Sequence, residues 1–438
     1  MLNTKKKKVI LLIILITSLM VCATIPYSSV RARSDEIYEK LKIFSEVLSI
    51  IQKNYVEETK PEDLIYGAIN GMLRTLDPHS SFMLPDVYKE LQVETKGSFG
   101  GIGIEITIKE RILTIVSPIE DTPAFRAGLK AGDKIVKIEG EFTENMTLFD
   151  AVKKMRGPAG TKVTISIMRE GFVEPEDFTL TREIIRIKSV KHRPLEDNIG
   201  YIRISQFQER TEEEFNKALD TLEQADKPLR GLILDLRNNP GGLLDQAVKV
   251  CDEFIEQGLI VYTQGRNEIQ QMKFSAQPNK KTHNYPIIVL VNAGSASGSE
   301  IVAGALQDHN RAVILGTPTF GKGSVQTIIP MDDGSGLRLT TARYYTPRGS
   351  SIQAKGITPD VIVKERDFHR KEEKKELEFI KEKDLKGHFE PDEATKEITT
   401  TEKQEEEEDI PLARAIQLLK SWSIFKEFES KNQPIPEQ

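Results

Sequence analysis

Apolar residues open the folded part of the chain in a helical rhythm. Ile37, Leu41, Phe44, Leu48, Ile51 and Tyr55 recur at alternating spacings of four and three. That is a narrow stripe of coiled-coil type, suited to packing on its own chain or pairing with a second copy. A helical reading extends over 35–90, punctuated by Pro61 and the Asp77-Pro78 step. From about residue 95 the pattern changes. Gly97, Gly100, Gly101 and Gly103 surround short β-rich runs, followed by runs at 112–116, 124–129 and 134–138. A helix-like stretch at 148–155 and a strand at 162–168 complete a compact module.

Over 198–365 strands and helices alternate. Strands are predicted at 200–204, 231–236, 259–262, 287–291, 312–315, 324–329 and 337–343. Helices are predicted at 212–224, near 243–255, and from about Ser297 to Asp308. Near-continuous apolar strands in such alternation predict an α/β core buried on both faces. After Asp367 the chain is dense in Lys and Glu, ending in Glu405–Glu408 and Asp409, which reads as a solvated helix or linker. Leu412, Ile416, Leu419, Trp422 and Phe425 then form another apolar helical face that should dock on something. The expected divisions are a leader at 1–32, a helical region at 33–94, the β-rich module at 95–182, the α/β core at 183–365, a charged linker at 366–410 and a tail helix at 411–438.

The leader sets the expected location. Lys5–Lys8 precede an apolar run from Val9 to about Ile25. A positive segment before an apolar one reads as a secretory signal or an uncleaved anchor, with the lysines kept in the cytoplasm. Val30-Arg31-Ala32 is a poor small-residue cleavage site, and Cys22 follows Val21 rather than a small residue, which argues against lipidation. The body is therefore expected outside the cytoplasm, in the periplasm or cell envelope, and possible anchoring is to the inner membrane.

Composition narrows the classes. The 438 residues are 38% hydrophobic and 29% charged, ordinary for a globular chain, and the net charge of −6 lacks the basic footprint of a nucleic-acid binder. Cys22 and Cys251 make no disulfide framework once Cys22 is assigned to the leader. His79, His192, His283, His309, His369 and His388 are scattered, and no Cys/His spacing suits zinc. No metal and no nucleotide cofactor is implied.

Three segments carry candidate chemistry. In 289–300 an apolar strand ends in small residues and a helix starts at Ser297. Unpaired backbone N–H groups at such a helix start favour developing negative charge. Ser295, Ser297 and Ser299 also suit plain capping. In 316–326 Lys322 stands between two glycines beside Phe320, with Gln326 four residues on. A lysine whose charged form is disfavoured by burial can take a proton from a serine hydroxyl. In an extended strand Gln326 would face the same side and orient the amine. A glycine-rich anion loop is the alternative. In 232–242 an apolar strand runs into Asn238-Asn239-Pro240-Gly241-Gly242. Gly241 or Gly242 could donate an amide to an oxyanion, Pro240 having no N–H. Asp235 and Arg237 suit structural hydrogen bonds.

Together these segments resemble the carboxyl-terminal processing, or tail-specific, proteases. The segments 295–300 and 319–326, with Lys322 25 positions after Ser297, look like that family's nucleophile and base segments. The segment 235–242 is similar to its glycine loop, and 76–82 and 349–360 also look familial. The resemblance covers about 35–365. It implies an α/β core of crotonase-like spiral type with an inserted PDZ domain. It further implies Ser297 as nucleophile, Lys322 as general base, Gln326 as its orienter, and the amides of Gly298 and one of Gly241 or Gly242 as oxyanion donors. Gly298 departs from the family's usual Ala, but a backbone donor survives. Gly100, Gly101, Ile102, Gly103 and Ile104 resemble the carboxylate-binding loop of PDZ domains, with 127–135 as the matching later segment. Arg156 is a candidate for coupling the PDZ groove to the active site.

The implied partners are protein or peptide substrates with accessible C-termini, the membrane through the leader, a second copy of the chain, and an activating or adaptor protein; no nucleic acid is implied. Two other readings stay open. One is a PDZ-based peptide-binding scaffold with a silent or partner-activated core. The other is a Ser–His–Asp hydrolase using His309 and Asp308, against which helical geometry counts because adjacent residues point to different faces.

Overall fold

The computed structural model describes residues 37–225, 227–278, 282–364 and 409–431. The leader at 1–32 and most of the charged stretch 366–410 lie outside them. The chain forms two compact units, one to Thr75 and one from Leu76 onward. The first holds a helix over 37–54 and a second at Pro61–Arg74. Pro61 starts that second helix and Glu62 and Asp63 follow, where a missing N–H costs nothing and negative charge meets the positive helix end. Within this unit Ile37, Leu41 and Phe44 are exposed.

The centre of the second unit is a six-stranded sheet. Its order is Val190–Pro194, Ile199–Ile204, Gly231–Asp235, Ile287–Val291, Ala312–Gly316 and Val361–Ile362. The first pair is antiparallel and the rest are parallel, with Leu234 opposite Val289 and Val289 opposite Ile314. The period-2 alternation of a strand sends Leu232 and Leu234 to one face and Ile233 to the other. The first face packs with Val289, Val291 and Ile314 against helices Thr211–Glu223, Leu244–Asp252 and Gly298–Asp308. The second face, with Ile233, Ile288, Leu290 and Leu315, is covered by Ala415 and Leu419 of the tail helix Ile410–Lys431. Gly231 permits that approach, because a Cβ there would come within 2.8 Å of the Leu419 side chain. Among the described side chains beyond Leu419, Trp422 and Phe425 are exposed.

A second sheet joins Ser81–Met83, Gly336–Tyr345, Leu259–Gly265 and Lys273–Ser275, with Ser324–Pro330 also paired to Gly336–Tyr345. Ser81–Met83 corrects the helical reading of 35–90. This segment runs antiparallel to the strand that starts at Gly336, a partner more than 250 positions away that no local periodicity signals.

The β-rich module has its own sheet, Ile104–Lys109, Ile112–Pro118, Lys134–Ile138, Lys162–Met168 and Glu176–Thr181, and its own core around Ile115, Ile135, Ile138 and Ile165. Helix Leu148–Met155 packs on it, started by a Thr147–Asp150 capping box. The run 124–129 is not a strand. It begins inside the one-turn helix Pro123–Arg126, which Pro123 initiates at a position where proline is tolerated.

Candidate active site

Three neighbouring parallel strands bring the three candidate segments together. Asp235 is level with Leu290, and Val291 with Gly316, so the turns leaving Gly231–Asp235, Ile287–Val291 and Ala312–Gly316 emerge side by side at one edge. The carboxyl ends of parallel strands are where α/β sheets form crevices.

The first two turns are stitched to each other. Asn239 O accepts from Ala296 N at 3.0 Å and from Ser299 Oγ at 2.9 Å. Ser295 Oγ donates to Leu236 O at 2.8 Å, and Asn238 N donates to Asn292 Oδ1 at 2.9 Å. Ser295 and Ser299 thus serve the turn itself. Ser297 is left at the N-cap of Gly298–Asp308 with φ 52° and ψ −109°, 8% exposed. A non-glycine residue held at positive φ persists only where its surroundings over-determine it. Gly241, at φ +100°, is one such surrounding. A Cβ there would lie 2.8 Å from the Ser297 Cβ and from Gly298 N. Of the two alternative oxyanion amides, that of Gly241 donates to Asn239 Oδ1 at 2.9 Å, which leaves Gly242 as the candidate beside Gly298.

The third turn is tied in by a group the sequence reading passed over. Glu300 is fully buried. Its Oε2 accepts from Ser297 N at 2.8 Å and Lys322 N at 2.9 Å. Its Oε1 accepts from Gly321 N at 2.7 Å and Thr319 Oγ1 at 2.5 Å. One carboxylate therefore fixes the backbones of Ser297 and Lys322 together. Burial pushes the Glu300 carboxyl up to about 7, against those hydrogen bonds, which hold it down. The available signal was a glutamate three residues after a serine at a helix start, the capping-box spacing. Tyr344 was also missed. Its buried hydroxyl hydrogen-bonds the Ser297 side chain, and burial raises the phenol to about 12. Its backbone N donates to Gly323 O at 2.7 Å, next to Lys322.

Lys322 and Gln326 are both half-buried. The alternation expected between them does not hold. The strand begins at Ser324, beyond Lys322, and its register shifts between Val325 and Gln326. A bulge of this kind resets which face a side chain takes. Gln326 Nε2 donates to Ser324 Oγ at 2.9 Å and reaches Thr340 Oγ1 at 3.5 Å. Thr340 Oγ1 in turn donates to Asp77 Oδ1 at 3.1 Å, and Asp77 also holds Ser80 Oγ at 2.6 Å. The 76–82 segment thus braces the strand facing Gln326.

The histidine alternative finds no support in this geometry. His309 Nε2 is 2.7 Å from Leu259 O, and Asp308 Oδ2 accepts from Arg348 N at 2.8 Å. Both sit at the far end of an 11-residue helix, about 16 Å from its start at 1.5 Å per residue.

In the β-rich module, Ile104–Lys109 is the edge strand of its sheet. Beside it lies a cavity of about 60 Å³ lined by Ile102, Ile104, Ile106, Val152, Met155 and Arg156. Gly100 and Gly101 belong to the strand Ser98–Gly101, paired with Glu183–Arg186, and Gly103 follows at φ +80°. Arg156 stacks over the Phe99 ring at 4.2 Å and donates to Glu90.

Residues 198–363 match the model of peptidase family S41, residues 90–168 that of the PDZ domain, and residues 21–86 that of the activating protease CtpB N-terminal domain. The chain is 49% identical to a carboxy-terminal-processing protease of Bartonella bacilliformis over 80% of each chain. It is 40% identical to a carboxyl-terminal-processing protease of Synechocystis over 72% of this chain and 75% of that one. It is 38% identical to the carboxy-terminal processing protease CtpB of Bacillus subtilis over 80% of this chain and 72% of that one. The chain belongs to the carboxy-terminal processing proteases, serine-type peptidases of family S41 that carry a PDZ domain.

Proposed function

We propose that Ser297 is the nucleophile of this protease, Lys322 its general base and Gln326 a residue that orients the lysine. The observation that carries the reading is the Glu300 carboxylate. It accepts from the backbone of both Ser297 and Lys322, and so joins two residues that are far apart in sequence. Lys322 would take the Ser297 proton as Oγ attacks the scissile carbonyl, and return it to the leaving amine. The tetrahedral oxyanion would accept from Gly298 N–H at the helix start and from Gly242 N–H. The edge strand and small apolar cavity of the PDZ domain support docking of a substrate C-terminus by strand addition, with the amides of Gly101 to Gly103 near its carboxylate. Arg156 would report groove occupancy to the core. The leader supports export to the periplasm or cell envelope with attachment to the inner membrane, and the exposed stripe of the 37–54 helix supports pairing of two copies.

The test is cleavage of an unfolded protein with an apolar C-terminus by the full chain in detergent, beside Ser297→Ala and Lys322→Ala. Loss in both folded variants supports the pair. Cleavage by Lys322→Ala at the wild-type rate refutes the base assignment. A wild-type chain that binds the peptide without cutting it favours the partner-activated reading.

A further inference from the structure

Arg237 begins the turn that carries Gly241 and Gly242, and it is held from two directions. Asp235, fully buried, accepts from Arg237 Nε at 3.0 Å and Nη2 at 2.7 Å. That carboxylate also accepts from Tyr201 Oη at 2.7 Å and from Arg237 N at 2.9 Å, so its lone pairs are committed. The rest of the guanidinium is taken by Asp409, 172 residues away. Arg237 Nη1 donates to Asp409 Oδ1 at 2.7 Å and Nη2 to Oδ2 at 2.9 Å, a bidentate fork. Arg237 is 7% exposed, so water cannot replace a lost partner freely.

Asp409 is also the start of the tail helix. Leu412 N donates to its Oδ1 at 3.2 Å and Ala413 N to its carbonyl at 2.8 Å. The same oxygen thus caps the helix and holds Arg237. Ala415 and Leu419 then seat the helix on the sheet face formed by Ile233 and Ile288. From this geometry we infer that Asp409 is a positioning residue of the active site, through which the docked tail helix holds Arg237 and the Asn238–Gly242 turn in the conformation that presents the oxyanion amide. The inference rests on the Ser297 reading for its catalytic consequence, not for its structural one.

The experiment uses the full chain as wild type, Asp409→Asn, Asp409→Glu, Leu419→Ala and Ser297→Ala. Three readouts are taken: hydrogen exchange at the amides of 236–242, the split of kcat from KM, and the rate of labelling by a fluorophosphonate. Asp409→Asn is expected to speed exchange at 238–242 while 231–235 stays protected. It should lower kcat and labelling about tenfold, about 1.4 kcal/mol, with KM little changed. Asp409→Glu should recover part of that loss. Leu419→Ala, which loosens the helix while keeping the charge, should lower the melting temperature more than kcat. Unchanged exchange at 238–242 in Asp409→Asn overturns the inference, as does a kcat loss that only tracks the unfolded fraction. Labelling of Ser297→Ala at the wild-type rate would instead overturn the Ser297 reading and leave the exchange result to decide the inference.

Discussion

Replacing Glu300 by Gln tests whether one buried carboxylate sets the active-site geometry. The side chain keeps its shape, but one acceptor oxygen becomes an NH2 donor. Four donors face the carboxylate: Ser297 N, Lys322 N, Gly321 N and Thr319 Oγ1. Two of them must then face a donor instead. A buried group left without its acceptor costs about 1–3 kcal/mol, so the two together cost about 2–6 kcal/mol. If about 3 kcal/mol of that falls on the transition state, kcat drops by about two orders of magnitude. The assay is cleavage of an unfolded protein by the folded variant, with circular dichroism as the check on folding. Its pH profile is a second readout. Burial raises the carboxyl from its ordinary 4.5 to about 7. Between those values the folded state holds a proton that the unfolded state lacks, so this group's contribution to stability falls as pH rises across the window. Activity moves the other way, since the anion accepts all four bonds, and should climb through about pH 7. The Gln variant should lack that limb. A Gln variant that keeps the wild-type kcat and the limb refutes the reasoning.

Gly241→Ala places a Cβ 2.8 Å from Ser297 Cβ and Gly298 N at φ +100°, so cleavage should be lost while peptide binding to the PDZ domain, read by fluorescence anisotropy, persists. Gly298→Ala meets the Phe207 ring at 3.0 Å; overpacking of this kind costs about 1–3 kcal/mol, so the melting temperature should drop with activity retained. Arg156→Glu reverses the charge paired with Glu90 and should weaken peptide binding or turnover; both intact would remove Arg156 from any coupling role. His283 bridges Glu223 at 2.7 Å and Glu253 at 3.0 Å. Burial pulls its pKa down, but the two carboxylates outweigh it and raise it above 6.5. Its contribution is therefore complete below pH 6.5 and lost as pH rises through the higher folded value, and His283→Gln should flatten thermal stability across that range.

Much of this site was legible as chemistry before it was legible as geometry. Ser297, Lys322 and the Gly241–Gly242 turn stood out because each follows an apolar run and is flanked by small residues, a local pattern. The parallel sheet was legible for the same reason: five-residue apolar runs such as Ile287–Val291 are written in consecutive positions. Glu300 was visible only as a capping glutamate. Its role depends on Thr319, Gly321 and Lys322, which a neighbouring strand delivers. Asp77, Tyr344 and Asp409 act on residues between 47 and 263 positions away, and the register shift before Gln326 breaks the simple strand alternation counted from Lys322.

The sequence by itself determined the central parallel strands and the helices between them, the two-faced burial of those strands, the family and the residue types able to do serine chemistry, because hydrophobic period and turn composition are local properties. Tertiary structure alone decided the strand at Ser81–Met83, the engagement of Gly241 by Asn239, and the buried carboxylates that hold the turns. Those depend on which strand ends lie side by side, and a hydrogen bond acts over about 3 Å of space whatever the distance along the chain.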